Sequence, residues 1–219
     1  MPLINYIPER YEEGFKALSQ ISEQQFDKVQ KSLTNAPYVS SITKLATAVS
    51  HIEELKQLDI SEMFLSVGSL IPFIDDEEMI DEIVKDIIML SLEDELVRQE
   101  DVSQYGFRLA FLLNNKQMYY ASKADSLVNN YGNIFIQCRV VSDIRPVFDI
   151  KSDPNPEVGL IIHNLNIHYQ SHEEPYHKDI SIALTAEELL MLKEAIVRAE
   201  MKEKSLQNIL KKSGMTNIQ

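Results

Sequence analysis

One cysteine and six glycines in 219 residues exclude several chemistries at the outset. The lone Cys138 cannot close an intramolecular disulfide, nor supply the paired thiolates of a zinc site. So few glycines leave little room for backbone to approach a nucleotide, and no Gly-rich phosphate loop is present. A Gly-x-Ser-x-Gly nucleophile elbow and a His-Glu-x-x-His zinc motif are also missing. The sequence therefore predicts a non-enzymatic protein with no cofactor and no resident metal.

Basic residues are scarce as well, 21 lysines and arginines against 34 aspartates and glutamates. The excess is local: positions 1–100 hold 20 acidic and 8 basic residues, and the remainder 14 and 13. An acidic N-terminal half repels phosphate backbones, whose binding depends on cations that displace condensed counterions, so nucleic acid is not an expected partner. Long apolar runs are lacking too. The stretches Met63 to Ile74 and Ile80 to Leu92 are too short, or too interrupted by carboxylates, for the roughly 20 apolar residues of a bilayer span. The opening Met-Pro-Leu-Ile has no basic region leading into an apolar core, so the expected location is cytoplasmic, with no membrane partner.

What remains is ordinary globular composition, 44% hydrophobic and 25% charged, arranged in two parts. Helical spacing dominates first. Tyr11, Phe15 and Leu18 make one apolar stripe and Phe26, Val29 and Leu33 another, with Ser22 and Gln25 as a capping box and Asn35-Ala-Pro37 as a stop. A third helix places Ile42, Leu45, Val49 and Ile52 on one face, a fourth buries Phe64, Val67 and Ile71, and a fifth uses Ile80, Ile83 and Ile87. The apolar run from Phe107 to Leu113 fits helix or strand by pattern; helix is the favoured reading, with another from Lys116 to Val128.

At Asn129-Asn-Tyr-Gly132 the period changes from about 3.6 to 2, so the expected division is a helical domain at 1–130 and a second domain at 131–219. Ile134, Ile136, Cys138 and Val140 share one face of a half-buried strand, with Cys138 buried and inert on the apolar side. A loop at Asp153-Pro-Asn-Pro156 follows, then a second strand alternating from Ile161 to Gln170. Ser171 to Lys178 turns the chain, and Ile180, Ile182 and Leu184 form a third strand, Ile167 opposing Ile182. Thr185 and Glu188 then cap a long helix whose stripe runs through Leu189, Leu192, Ile196, Ala199, Leu206 and Leu210. Strands of about six residues span roughly 20 Å and cannot cover a helix of roughly 39 Å, so the rest of the stripe needs another surface. The fold class is α+β, an N-terminal helical bundle followed by a small antiparallel three-stranded sheet with a long C-terminal helix.

Three constellations could carry chemistry. Four histidines lie between His163 and His177, but His163 and His168 have opposite strand parity, and His172 and His177 fall in the turn. One core histidine and a solvated turn account for them; the alternative is a metal-dependent hydrolase built on the His163 to His177 cluster. Seven carboxylates from Asp75 to Asp86 could hold a hard cation or a basic partner, although capping a helix start and forming its wet face is the favoured reading. Arg139 and Arg145 share parity with Asp143, and their guanidinium forks suit carboxylates or phosphates. An ion-pair ladder is the plainer reading, yet these two arginines are the candidate ligand-binding residues. A regulator reading joins them to a helix-turn-helix near 107–128 that offers Lys116 and Lys123 to phosphates.

The order of parts, a helical half followed by Ile134-Phe-Ile-Gln-Cys-Arg-Val-Val141, Val158 to Gln170, Ile180-Ser-Ile-Ala-Leu184 and Thr185-Ala-Glu-Glu-Leu-Leu, resembles the COMM domain over the last 85 or so residues. In that family a small antiparallel sheet and a C-terminal helix intertwine with a second copy. The stretch from Arg139 to Phe148 also resembles uncharacterised bacterial proteins of unknown function. The COMM resemblance implies an adaptor or assembly role: the C-terminal unit forms homodimers or hetero-oligomers and the acidic helical half contacts protein partners.

Overall fold

Local capping chemistry sets most of the helix boundaries in the computed structural model, which describes residues 2–50, 59–148, 156–171 and 173–218. The described helices are α1 (Glu9–Gln20), α2 (Glu23–Asn35), α3 (Ile42–Ser50), α4 (Ile60–Gly68), α5 (Glu78–Glu93), α6 (Val102–Leu113), α7 (Lys116–Asn129) and α8 (Ala186–Lys212). Three strands, β1 (Asn133–Val147), β2 (Val158–Ser171) and β3 (His177–Leu184), lie between α7 and α8. The chain is α+β and divides into two compact units, Met1–Leu127 and Val128–Asn217. Among the described residues no helix is long and apolar enough to cross a membrane.

The first unit holds the hydrophobic core. Phe15, Leu18, Phe26, Val29, Leu33, Leu45, Val49, Phe64, Val67, Ile83 and Ile87 are all buried, so the helical stripes read from spacing are the ones that pack. Ile52 lies outside the described residues. Ile71 belongs to a single 3-10 turn, Ile71–Phe73, because Pro72 at its start has no amide to continue α4. Ser22 and Gln25 close the expected capping box on α2, which stops at Asn35.

The run from Phe107 to Leu113 is helical, and its polar member decides the packing. Arg108 is only 4% exposed. Its Nη1 donates to the carbonyls of Leu18 (3.1 Å) and Ser19 (3.0 Å), and its Nη2 donates to Gln104 Oε1 (3.2 Å). Those carbonyls belong to the last turn of α1, where no amide of the helix can reach them. Burial pushes the guanidinium pKa down, while Glu23 and Asp101 hold it up. Deeper in the core, the Tyr105 hydroxyl and Ser91 Oγ are 2.9 Å apart, and burial pushes the phenol pKa well above its ordinary range.

The second unit is built differently. The sheet order is β1-β2-β3, antiparallel throughout. At 15 and 14 residues, β1 and β2 run beyond the alternating stretches read from pattern and are far longer than the typical strand of about six residues that the helix was measured against. β1 is an edge strand, which tolerates Pro146, so pairing continues to Val147 opposite Val158. A bulge at Ile136 separates Phe135, opposite Tyr169, from Gln137, opposite His168. The extra residue puts Ile134 on the face opposite Cys138, which corrects the single apolar face read from alternation. Leu165 faces Ile182 and Ile167 faces Ile180, so the β2–β3 register is two residues away from the expected pairing and keeps the same faces together.

Thr185 and Glu188 form the expected capping box on α8, and their mutual hydrogen bonds hold the Glu188 carboxylate below its usual range. α8 packs on β2 and β3. Among the described residues of this unit only Leu165 and Ser171 are buried. β1 is not the half-buried strand expected: Ile144 is 67% exposed, and Cys138 is exposed rather than buried. On α8, Ile196, Met201, Leu206 and Ile209 also face outward.

Candidate functional site

The register sorts the sheet into two unlike faces, because residues opposite each other in an antiparallel pair point the same way. One face is apolar: Phe135, Cys138, Val140 and Ile144 of β1, then Ile161, Leu165 and Ile167 of β2, then Ile180, Ile182 and Leu184 of β3. His163 also lies there, its Nδ1 2.8 Å from Ser142 Oγ directly across the ladder.

The other face carries two polar rows across all three strands. Gln137, His168 and Asp179 form the first; Arg139, Asn166 and Ser181 form the second. His168 Nδ1 lies 3.0 Å from Asp179 Oδ1. A carboxylate oxygen only accepts, so that nitrogen carries the proton. The His168 ring stacks on His177 with centroids 5.6 Å apart and planes 7° from parallel. In the second row Ser181 Oγ donates to Asn166 Oδ1 at 2.5 Å, leaving the amide NH2 of Asn166 as its remaining polar group. Gln137, Cys138, Arg139, Asn166, His168 and Asp179 border a shallow depression of about 550 Å³.

The two arginines singled out from sequence part company here. Arg145 Nε donates to Asp143 Oδ2 at 3.2 Å, an exposed pair along one strand that contributes little to stability. Arg139 forms no ion pair with any described residue. Six residues of strand at about 3.4 Å each put roughly 20 Å between the two side chains, so they do not share a ligand. Parity located Arg139 and missed its surroundings. His177 is the first residue of β3 rather than part of the turn, and Asp179 and Ser181 reach the site from that strand. The signal was the alternation of His177, Asp179 and Ser181 against Ile180 and Ile182.

His163 and His168 point to opposite faces as their parity requires, and His172 lies outside the described residues. Among the described residues no group of three or more His, Cys, Asp or Glu could hold a metal ion. In the acidic segment, Asp76 Oδ1 accepts from the Met79 amide at 3.1 Å and so caps the start of α5. Asp86, expected on the wet face, instead accepts from the amides of Leu3 (2.6 Å) and Ile4 (3.1 Å). α6 and α7 are consecutive helices separated by Asn114-Asn115, and of the two lysines on α7 Lys123 sits over the Tyr119 ring at 5.5 Å. Lys116 borders a crevice with Asp75, Asp76 and Glu77.

No family model and no curated protein matches the chain.

Proposed function

We propose that this chain is a non-enzymatic interaction or assembly protein that self-associates through the β1-β2-β3-α8 unit. The observation that supports this most is the missing interior of that unit. A three-stranded sheet and a helix of 27 residues bury a single apolar side chain among the described residues, Leu165, and leave Ile144, Ile161, Ile180, Ile196 and Leu206 in water.

Surface area gives the scale. The chain exposes 15251 Å² at a mass of 25.1 kDa. Two separate compact bodies of half that mass would together expose about 12,000 Å². The surplus of roughly 3,000 Å² per chain exceeds the roughly 1,000–2,500 Å² that each partner of an obligate pair commonly buries. A second copy carries the same apolar face and the same surplus, so mutual burial satisfies both. The outer edge of β1 and the edge of β3 are unpaired within the sheet, and association removes that liability too.

The strand-strand-strand-helix order is the one the COMM resemblance implies, and in that family two copies intertwine. On this reading the acidic helical unit is left to contact protein partners, whose complementary surface is basic. The regulator and hydrolase readings draw less support, the first from only two lysines on α7, one of them over the Tyr119 ring, and the second from histidines on opposite faces. Light scattering of the full chain at micromolar concentration is the test. The expected mass is twice that of the chain or more; a strict monomer overturns the proposal.

A further inference from the structure

We propose that the polar face of the sheet is a binding site for a small carboxylate ligand, with Arg139 as the anchoring fork and Gln137 and Asn166 as amide donors. Three observations carry it. Arg139 has no ionic partner among the described residues, although 34 acidic residues are available in the chain. Asp179, the carboxylate on the same depression, is engaged by His168. Asn166 has its oxygen occupied by Ser181, so its free group is the NH2 and its row presents donors. Arg139 and Asn166 are directly opposite on β1 and β2, and Gln137 is two residues along β1 on the same face.

The charge balance selects the ligand. Arg139 supplies one positive charge, and the protonated nitrogen of His168 is spent on Asp179. A planar monoanionic carboxyl group matches a guanidinium fork with two parallel hydrogen bonds and leaves room for the flanking amides. A phosphate dianion brings a second charge that no described cation beside Arg139 neutralises and that Asp179 repels. The site lies on the face opposite the apolar one, so it stays open when a second copy covers Ile144, Ile161 and Ile180.

The test uses the isotope-labelled full chain at neutral pH and fixed ionic strength. Sodium acetate, sodium phosphate and sodium chloride are titrated in parallel while the side-chain amide signals of Gln137 and Asn166 and the Arg139 Nε–H signal are followed. Acetate, a monoanion, is expected to give saturable shifts at all three groups, and chloride none. Arg139→Lys keeps the charge and loses the fork; it is expected to weaken acetate at least about tenfold, whereas Arg145→Lys changes it less than about twofold. Both arginines are exposed, so neither variant threatens folding, and a thermal melt of each verifies this. The proposal is overturned by the absence of saturable shifts with acetate, by equal losses in the two variants, or by tighter binding of phosphate than of acetate.

Discussion

Gly14 of α1 faces the Glu62 carbonyl of α4 so closely that a Cβ at position 14 would stand 2.2 Å from that oxygen. It would also meet Ser66 Oγ, which donates to the Tyr11 carbonyl at 2.8 Å and ties the same two helices together. Backbone cannot step aside as a flexible side chain can. Gly14→Ala is therefore expected to destabilise the helical unit by about 3 kcal/mol, at the top of the usual range for overpacking, despite the better helix propensity of alanine. Urea unfolding measures it; an unchanged or raised midpoint would contradict the close crossing.

Arg108 acts as a cross-helix cap for α1. Arg108→Met keeps much of the apolar stem and removes the donors to Leu18 and Ser19, leaving two carbonyls without charged partners. The expected cost is about 3 kcal/mol, the scale of charged hydrogen bonds lost in a buried setting. Faster amide exchange at the C-terminal end of α1 should accompany it.

The Tyr105–Ser91 pair calls for a double-mutant cycle. Tyr105→Phe leaves the Ser91 hydroxyl buried without a partner and should cost about 1–3 kcal/mol. Adding Ser91→Ala to it should recover part of that loss, because both polar groups are then gone. Additive losses would mean that the two hydroxyls are not coupled.

The Glu188 carboxylate is held below its usual pKa by the Thr185 amide and hydroxyl. A depressed pKa means that this group's contribution is fully present above the ordinary carboxylate value and is lost as pH falls through the lower, folded value. Acid should therefore fray the start of α8, visible as faster amide exchange in its first turn. Glu188→Gln is expected to remove that acid-induced step while lowering protection at neutral pH.

On the proposed self-association, a charge on the apolar face should separate the copies. Ile144→Lys and Ile180→Lys each leave the helical unit untouched and put an ammonium where apolar surface is to be covered. Each should raise the dissociation constant at least about tenfold, the equivalent of 1.4 kcal/mol, as read by light scattering across a dilution series.

What could be read in advance was local. Ser22 with Gln25 and Thr185 with Glu188 announce their helix starts because the partners lie three residues apart, and the stripes of α1 and α2 follow from spacing alone. Tyr105, Arg108, Leu109 and Leu112 also recur at three and four, which makes the ambiguous run of α6 a helix with a buried cation. The sheet resisted for physical reasons. Nothing in β1 itself marks Ile136 as an inserted residue, since a bulge exists only relative to a partner strand. Leu165, Ile167, Ile180 and Ile182 are interchangeable in size, so alternation fixes their face and leaves the offset open. The polar site was half legible for the same reason: Arg139 could be placed by parity, whereas Asp179 and Ser181 join it only through the β2–β3 register. Cys138 shows the limit of reasoning from side-chain type, because an apolar parity implies burial only where something covers the sheet.

A joint of one residue, Thr185, separates the end of β3 at Leu184 from the start of α8 at Ala186. Its backbone angles, φ −78° and ψ 172°, therefore aim the whole helix. Over 27 residues that helix is roughly 40 Å long, so a swing of about 10° at this point sweeps its tip through roughly 7 Å. The hydrogen bonds between Thr185 and Glu188 hold the pivot of this lever, so the angle set at a single residue fixes where the far end of the helix stands relative to its sheet.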